Sequence, residues 1–430
     1  DGTDPVGQYK VPNKFNGNVL DYKITAPAPK VTMRTKWAKD VTPATAWTEY
    51  PRPALRRDTW TNLNGQWNYA VTSKDVTAVP KKWDGKILVP FAIEAPLSGV
   101  EKRFSPDDAL WYHRVFSIEK KLRRNYRLNF EAVDYECTVW VNGREATRHT
   151  GGNLPFSVDV TELVKGGNNT LTLRVTDATD SAYQLHGKQR LNPKGIWYTP
   201  VSGIWQTVWM EEVAPTHVTA AKITPKIDGT VKIALTYEGD VGVLPATKVT
   251  ASLKGKVVAT TTGKPGNLRL KIPDPQLWSP DSPTLYDLKI EFGNDVVHSY
   301  TGIRECGKVK DADGHWRLTL NGKELFHWGT LDQGWWPDGL LTPPSNEAMV
   351  SDIKFLKEAG FNTIRKHIKV EPRRYYYHCD KIGMMVWQDQ VSARRDDDPE
   401  WTRLKPEPPT AKWPSEAHRQ FMAELRQMMD

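Results

Sequence analysis

Three cysteines in 430 residues, Cys137, Cys306 and Cys379, are too few and too scattered for a disulfide framework. No His, Asp or Glu stands near them at metal-ligand spacing, so they are expected to be inert thiols, with no metal and no other cofactor called for. Long apolar runs are also missing. None approaches the roughly 18 residues a membrane helix needs, and a composition of 39% hydrophobic and 26% charged residues is globular. There is no internal repeat and no low-complexity tract. The formal charge of +8 is not gathered into a basic block. It therefore points to an anionic surface or an acidic polysaccharide and away from nucleic acid. Asp1 is neither an initiator methionine nor the start of a basic-then-apolar leader, so a removed signal peptide and a secreted or periplasmic location are expected.

What is abundant is tryptophan. Eighteen of them supply flat faces that stack on sugar rings, although most belong to cores, as large aromatics generally do. The length suggests about three domains. Residues 1–50 are rich in Pro, Thr, Lys and Ala without a sustained period and read as an extended arm. Residues 51–213 read as a jelly-roll β-sandwich of short alternating strands, with Asn142-Gly143 as its strongest hairpin signal. Residues 214–304 are again all-β and fit an immunoglobulin-like sandwich.

Residues 305–430 change character. Between 321 and 389 an apolar strand, an amphipathic helix, a second strand, a second helix and a third strand follow one another, as at the start of a (β/α)₈ barrel. Ser345 caps the first helix, Met349, Ile353, Leu356 and Ala359 repeat on one face, and Gly360 ends it. Pro372 opens the second helix and Gly383 closes it. Catalytic groups of such barrels sit at the carboxyl ends of the strands. Those ends carry Asp332, Gln333, Trp335, Trp336, Arg365, His367, Gln388 and Asp389. Polar and aromatic groups on one rim suggest a sugar site.

Ordered stretches across the chain after residue 50 carry a resemblance: NLNGQWNYA at 62–70, VPFAIEAPLSGV at 89–100, ALWYHRVF at 109–116, VWVNG at 139–143, PVSGIWQTVWME at 200–211, PQLWSPDSPTLYDL at 275–288, GIREC at 302–306, LNGKELFHWG at 320–329, FNTIRKH at 361–367 and GMMVWQD at 383–389. In this order they resemble glycoside hydrolase family 2, the β-galactosidases, β-glucuronidases and β-mannosidases. The resemblance implies an exo-acting, retaining enzyme with two carboxylates about 5 to 5.5 Å apart. It places the acid/base in an Asn-Glu pair ending barrel strand four and the nucleophile at the end of strand seven, both expected downstream of Asp430. SEAHRQFMAELRQMMD then corresponds to helix three. The one Asn-Glu pair here, Asn346-Glu347, falls in a first helical turn and suits capping. A second segment completing the barrel is expected, because three strands cannot close one.

Arg365 and His367 match positions that order the family's sugar pocket, although this chain reads Arg-Lys-His where the galactosidase branch usually has Arg-x-Ser-His. Asp389 and Asp332 either bind sugar hydroxyls or hold neighbouring cations. Gln333 shares that choice, and Trp335 and Trp336 either stack on substrate or pack a loop. Asp108, Trp111, Lys188, Trp197 and Tyr198 lie in sandwich segments that approach the barrel mouth in relatives. The run Arg394 to Asp398 reads as a solvated loop rather than a metal site. Partners are then a carbohydrate, either neutral or acidic, with no nucleic acid and no membrane span; a homodimer is compatible. A non-catalytic carbohydrate-binding protein stays open as the alternative.

Overall fold

A computed structural model describes residues 32–239, 242, 244–392 and 414–429. Residues 1–31 of the arm and the Arg394 to Asp398 run lie outside the described residues. The described part is mainly β, in several packed bodies, and none of its helices is long and apolar enough to cross a membrane.

The first body is a sandwich. Its larger sheet runs in the spatial order Gly85–Val89, Gly65–Ser73, Asp108–Ile118, Gly167–Thr176, Glu136–Val141, Arg144–Thr150, antiparallel throughout. It faces a four-stranded sheet of Trp60–Asn62, Val208–Val213, Asn125–Phe130 and Phe156–Asp159. Strand alternation explains the packing: Leu110, Tyr112, Phe116 and Ile118 point inward with Trp67, Phe130, Leu171 and Leu173. Asn142 and Gly143 both adopt positive φ, 51° and 77°, which gives the tight hairpin expected of Asn-Gly.

The second body packs a sheet of His217–Pro225, Thr230–Glu238 and Leu268–Lys271 on one of Lys256–Gly263, Thr247–Leu253, Tyr286–Phe292 and Asp295–Thr301. Its core is Val231, Ile233, Val249, Leu288, Ile290 and Val297. Arg57 ties the two sandwiches. Its buried guanidinium reaches Asp295 at 2.7 Å in the second and Glu211 at 3.1 Å in the first.

A small antiparallel meander, Cys306–Lys310, Trp316–Leu320 and Lys323–Glu324, precedes the third body. Cys306 is exposed there, whereas Cys137 and Cys379 are buried, and all three are free thiols. The third body is a three-stranded parallel sheet of Gly329–Asp332, Thr363–Lys366 and Met385–Gln388 with α1 (Asn346–Glu358) and α2 (Arg373–Ile382) as crossovers. The first strand begins later than the ELFHWG run suggested, because Leu325 donates its N–H to Leu318 in the meander instead. Ser345 accepts from Ala348 N at 3.2 Å, and Gly383 ends α2 at φ 88°.

The helical side of this sheet is sealed against the first sandwich. Ile364, Met349, Ile353, Tyr375 and Cys379 share a core with Phe91, Ala132, Val201 and Trp205. Thr342 Oγ1 donates to Trp205 O at 2.6 Å, and Trp47 Nε1 to Pro343 O at 2.8 Å. The opposite side of the sheet is open: Leu331 and Trp387, register partners of Arg365, are 46% and 50% exposed. α3 (Ser415–Met429) lies on the first sandwich, with Phe421 and Met428 against Leu154 and Leu185.

Candidate functional site at the carboxyl edge

The carboxyl edge of the parallel sheet holds two groups of charged side chains, divided by strand alternation. On the open side, Asp389 receives Arg365 Nε at 3.2 Å, Arg365 NH2 at 3.0 Å, and His367 Nδ1 at 3.1 Å. Arg365 thus grips the carboxylate with two donors in parallel. Burial works against the charged carboxylate, but these partners outweigh it and hold Asp389 below its usual range. Asp389 N–H also donates to Lys366 O at 3.1 Å, which carries the third strand's pairing past its last residue.

On the helical side, Asp332, Lys366 and Gln388 are register partners. Lys366 is fully buried, with Nζ 2.7 Å from Asp332 Oδ2, 2.5 Å from Glu371 Oε1 and 4.7 Å from the centre of the Tyr375 ring. Burial disfavours its charge, yet Glu371 and Asp332 more than compensate and raise its pKa. Lys369 adds a second buried ammonium, 2.9 Å from Glu371 and donating to Gly334 O and Leu341 O, each at 2.7 Å. Desolvation pushes Lys369 down to about 8. Gln388 is consumed here too, accepting from Tyr376 Oη at 2.6 Å and donating to Lys369 O.

The expectation that Asp332 and Gln388 join Arg365, His367 and Asp389 in one hollow is therefore corrected. Successive residues of a strand point to opposite faces. Asp332 and Gln388 fall in the phase of buried Ile364 and Lys366, and Arg365, His367 and Asp389 in the other.

A loop of the first sandwich crowns this edge. His186 and Gly187 donate their N–H groups to Ser392 O at 3.3 and 2.8 Å, just beyond the third strand. At Gly187, φ is 57° and an added Cβ would lie 2.9 Å from Ile368 O, so the close approach needs glycine. Further on, Tyr198 stacks on Trp335 with centroids 4.5 Å apart and planes 21° apart. Trp197 is clamped by cations, with Arg190 4.1 Å and Lys188 5.1 Å from its ring. Gln333 lines a groove of about 370 Å³ with Tyr198, Trp335, Asp332 and Asp352. Its Oε1 is buried and makes no hydrogen bond among the described residues. Burial, reinforced by Asp332, raises Asp352 to about 6.

Other expected residues lie away from the edge. Trp111 is fully buried under the outer face of the larger sheet, its Nε1 donating to Thr72 Oγ1 at 3.1 Å, so it cannot touch substrate. Asp108 caps the turn before its strand by accepting from Ser105 N at 3.1 Å. Trp336 packs edge-on against Trp37 and is a core residue. Asn346 begins α1 and accepts from Arg374 Nε at 2.9 Å. Among the described residues one trio brings possible metal ligands within 4.8 Å of one another: Asp311, Asp313 and His315. It forms a hairpin turn in which Asp311 already accepts from two backbone N–H groups and pairs with Arg317.

Residues 64–212 match the family described as glycosyl hydrolases family 2, sugar binding domain, and residues 212–304 match glycosyl hydrolases family 2. The chain belongs to glycosyl hydrolase family 2. A Formosa agariphila protein named "Putative beta-glucuronidase" is 30% identical over 296 residues, 65% of this chain and 27% of that protein. A second with the same name and source is 28% identical over 373 residues, 80% and 42% of the two chains. The beta-galactosidase of Thermoanaerobacter pseudethanolicus is 25% identical over 328 residues, 69% and 41% of the two. This family 2 chain thus spans less than half the length of these relatives. The solved beta-D-glucuronidase of Dictyoglomus thermophilum shares the fold, with a TM-score of 0.67 and 21% identity over 83% of this chain and 61% of that one.

In this family 2 chain, sequence reasoning missed Lys366, Lys369 and Glu371. A lysine in a strand of otherwise apolar phase was the available signal, since buried lysines occur almost only with charged partners. It also missed Arg190, whose stacking on Trp197 depends on a loop conformation that no local motif specifies.

Proposed function

We propose that this chain is the amino-terminal part of a retaining, exo-acting β-glycosidase, and that the parallel sheet is the opening third of its (β/α)₈ barrel. The two catalytic glutamates would then come from a further segment that adds strands across the open face of the sheet. The observation that carries this reading is the Arg365–Asp389–His367 cluster at the carboxyl edge, on the open side of the sheet, beneath a loop that brings Lys188, Trp197 and Tyr198 from the sandwich. In this role Asp389 fixes Arg365 and His367, and their remaining donors order the sugar or the incoming carboxylates. Trp335, backed by Tyr198, supplies an apolar wall, with Gln333 beside it in the same groove. The exposed cation Arg365 and the half-buried Lys188 favour a uronic-acid glycoside, in keeping with the names of the Formosa relatives.

The test is a panel of aryl β-glycosides offered to the full-length polypeptide that contains this chain. Turnover is expected, with the β-glucuronide preferred to the galactoside, mannoside and glucosaminide. A folded full-length protein that turns over none of them would overturn the proposal.

A further inference from the structure

A second groove lies between the second sandwich and α2, with a volume of about 710 Å³. Helical spacing decides what α2 presents to it. Tyr375, Cys379 and Ile382 form the buried stripe, so Arg374, Tyr377, His378 and Lys381, spaced i, i+3, i+4 and i+7, share the opposite face and line the groove. Across from them stand Lys289 and His298, register partners on the outer face of the second sandwich, and Arg56 from the segment before the first strand.

The walls are rigid. Asp380 of α2 is held by Arg304 at 2.7 Å and by Tyr300 Oη at 3.1 Å, and Trp278 Nε1 donates to Asp380 O at 2.7 Å. Tyr300 and Tyr377 meet edge to face, with centroids 5.1 Å apart. Arg374 is aimed by Asn346 Oδ1 and Tyr50 O, at 2.9 and 3.0 Å.

The charge is one-sided. Four Arg and Lys side chains, Arg56, Lys289, Arg374 and Lys381, line the groove against one carboxylate, Asp287. From the rim Asp58 pairs with Arg56 at 2.8 Å and Glu291 with Lys289 at 2.9 Å. Lys381 makes no ion pair among the described residues and lies 5.9 Å from the Tyr377 ring. Burial, then the charges of Arg374 and Lys381, push the His378 imidazole down to about 4, so it lines the groove as a neutral ring. Lysine at a helix end also suits the helix dipole, but that role asks nothing of Arg56, Lys289 or His298 across the groove.

We propose that this groove binds an anionic oligosaccharide, one carrying carboxylate or sulfate groups, as a site separate from the carboxyl edge. Cations alone would suit any anion. The interleaved rings of Tyr377 and Tyr300, and family 2 membership, select a sugar, whose apolar ring faces pack on aromatics while its charges meet the ammonium groups. Pockets of this size hold ligands of a few rings.

The experiment is calorimetric titration of the folded chain with three tetrasaccharides, one sulfated, one built of uronic acids and one neutral, and with a DNA oligonucleotide of matching charge. Binding of the sulfated or the uronate compound at one site is expected, and which of the two binds distinguishes the two sources of charge. Raising salt weakens it. Lys381→Glu and, independently, Lys289→Glu each weaken it about tenfold, the loss of one charge-assisted contact, while Lys232→Glu on the other sheet leaves it unchanged. Circular dichroism confirms that each variant is folded. The proposal fails if neither anionic sugar binds at physiological salt, if both groove variants bind like the parent, or if the neutral sugar or the oligonucleotide binds equally well. Because the readout is binding without turnover, and Arg365→Ala should leave it intact, failure here and failure of the glycosidase reading are distinguishable.

Discussion

Glu94 offers a quantitative test of how the first sandwich anchors the loop that crowns the carboxyl edge. Its Oε2 accepts from Ser202 N at 2.9 Å, and its Oε1 is buried with no hydrogen bond among the described residues. Ser202 Oγ in turn donates to Asp177 Oδ2 at 2.7 Å, so two buried carboxyls share one serine at the base of that loop. Burial is the main cause that raises Glu94, hydrogen bonds from Ser202 oppose it, and Asp177 adds to it; the carboxyl moves from 4.5 to about 8. A raised acid is stabilising below its unfolded value and loses that contribution as pH climbs through its folded one. The window is therefore roughly pH 4.5 to 8. At about 1.36 kcal/mol per pH unit the ceiling is about 5 kcal/mol, and water reaching the site in the charged state lowers this to about 2 to 4 kcal/mol.

Glu94→Gln keeps the shape and removes the titration. Near pH 5 the variant should lie within about 1 kcal/mol of the parent, since an unpaired amide replaces an unpaired acid. By about pH 8 it should be the more stable protein by about 2 to 4 kcal/mol. Urea unfolding followed by tryptophan fluorescence at three pH values measures the difference. A gap that stays constant with pH, or a parent that gains on the variant as pH rises, would refute the reasoning.

Lys366→Met strands Asp332 and Glu371 without their shared ammonium and should cost about 3 to 5 kcal/mol in the same urea assay; adding Glu371→Gln should recover part of the loss. In the full-length polypeptide Arg365→Ala should lower kcat/KM for an aryl β-glycoside at least about tenfold, and Arg365→Lys should not restore it, because one ammonium cannot grip Asp389 with two parallel donors. Tyr198→Ala and Trp335→Ala should be non-additive in unfolding free energy by about 1 kcal/mol, whereas Tyr198→Ala with the distant Ser345→Ala should be additive.

Where local rules act alone, this chain is easy to read. Ser345 caps a helix because its hydroxyl reaches Ala348 N, and Asn142-Gly143 turns because both residues accept positive φ. Such devices need only neighbours in sequence. ELF is more apolar than GTLD and makes the better local strand signal, but the N–H of Leu325 pairs with Leu318 in the meander, and the first parallel strand is Gly329–Asp332. Glu94, Asp134 and Asp177 gave no warning at all. Glu94 stands in an apolar turn, Asp134 in a two-residue strand and Asp177 just past a strand end, and their partners are distant in sequence, Ser202 for Glu94 and Asp177 and Gln189 for Asp134.

The division of the carboxyl edge follows the same logic. Arg365, Lys366 and His367 must alternate, so at most two of them can share a face with Asp389, and the sequence alone cannot say which. The choice is made by Ile364, two positions before Lys366, which is drawn against Met349 and Tyr375 and turns the lysine inward with it. Once inside, that ammonium must be neutralised, and Asp332 and Glu371 are the carboxylates within reach. Asp332 is thereby held on the helical side as a strut for Lys366. On the open side of the edge this leaves Arg365, His367 and Asp389 on the strand ends, with Lys188, Trp197 and Tyr198 on the loop that the first sandwich brings over them.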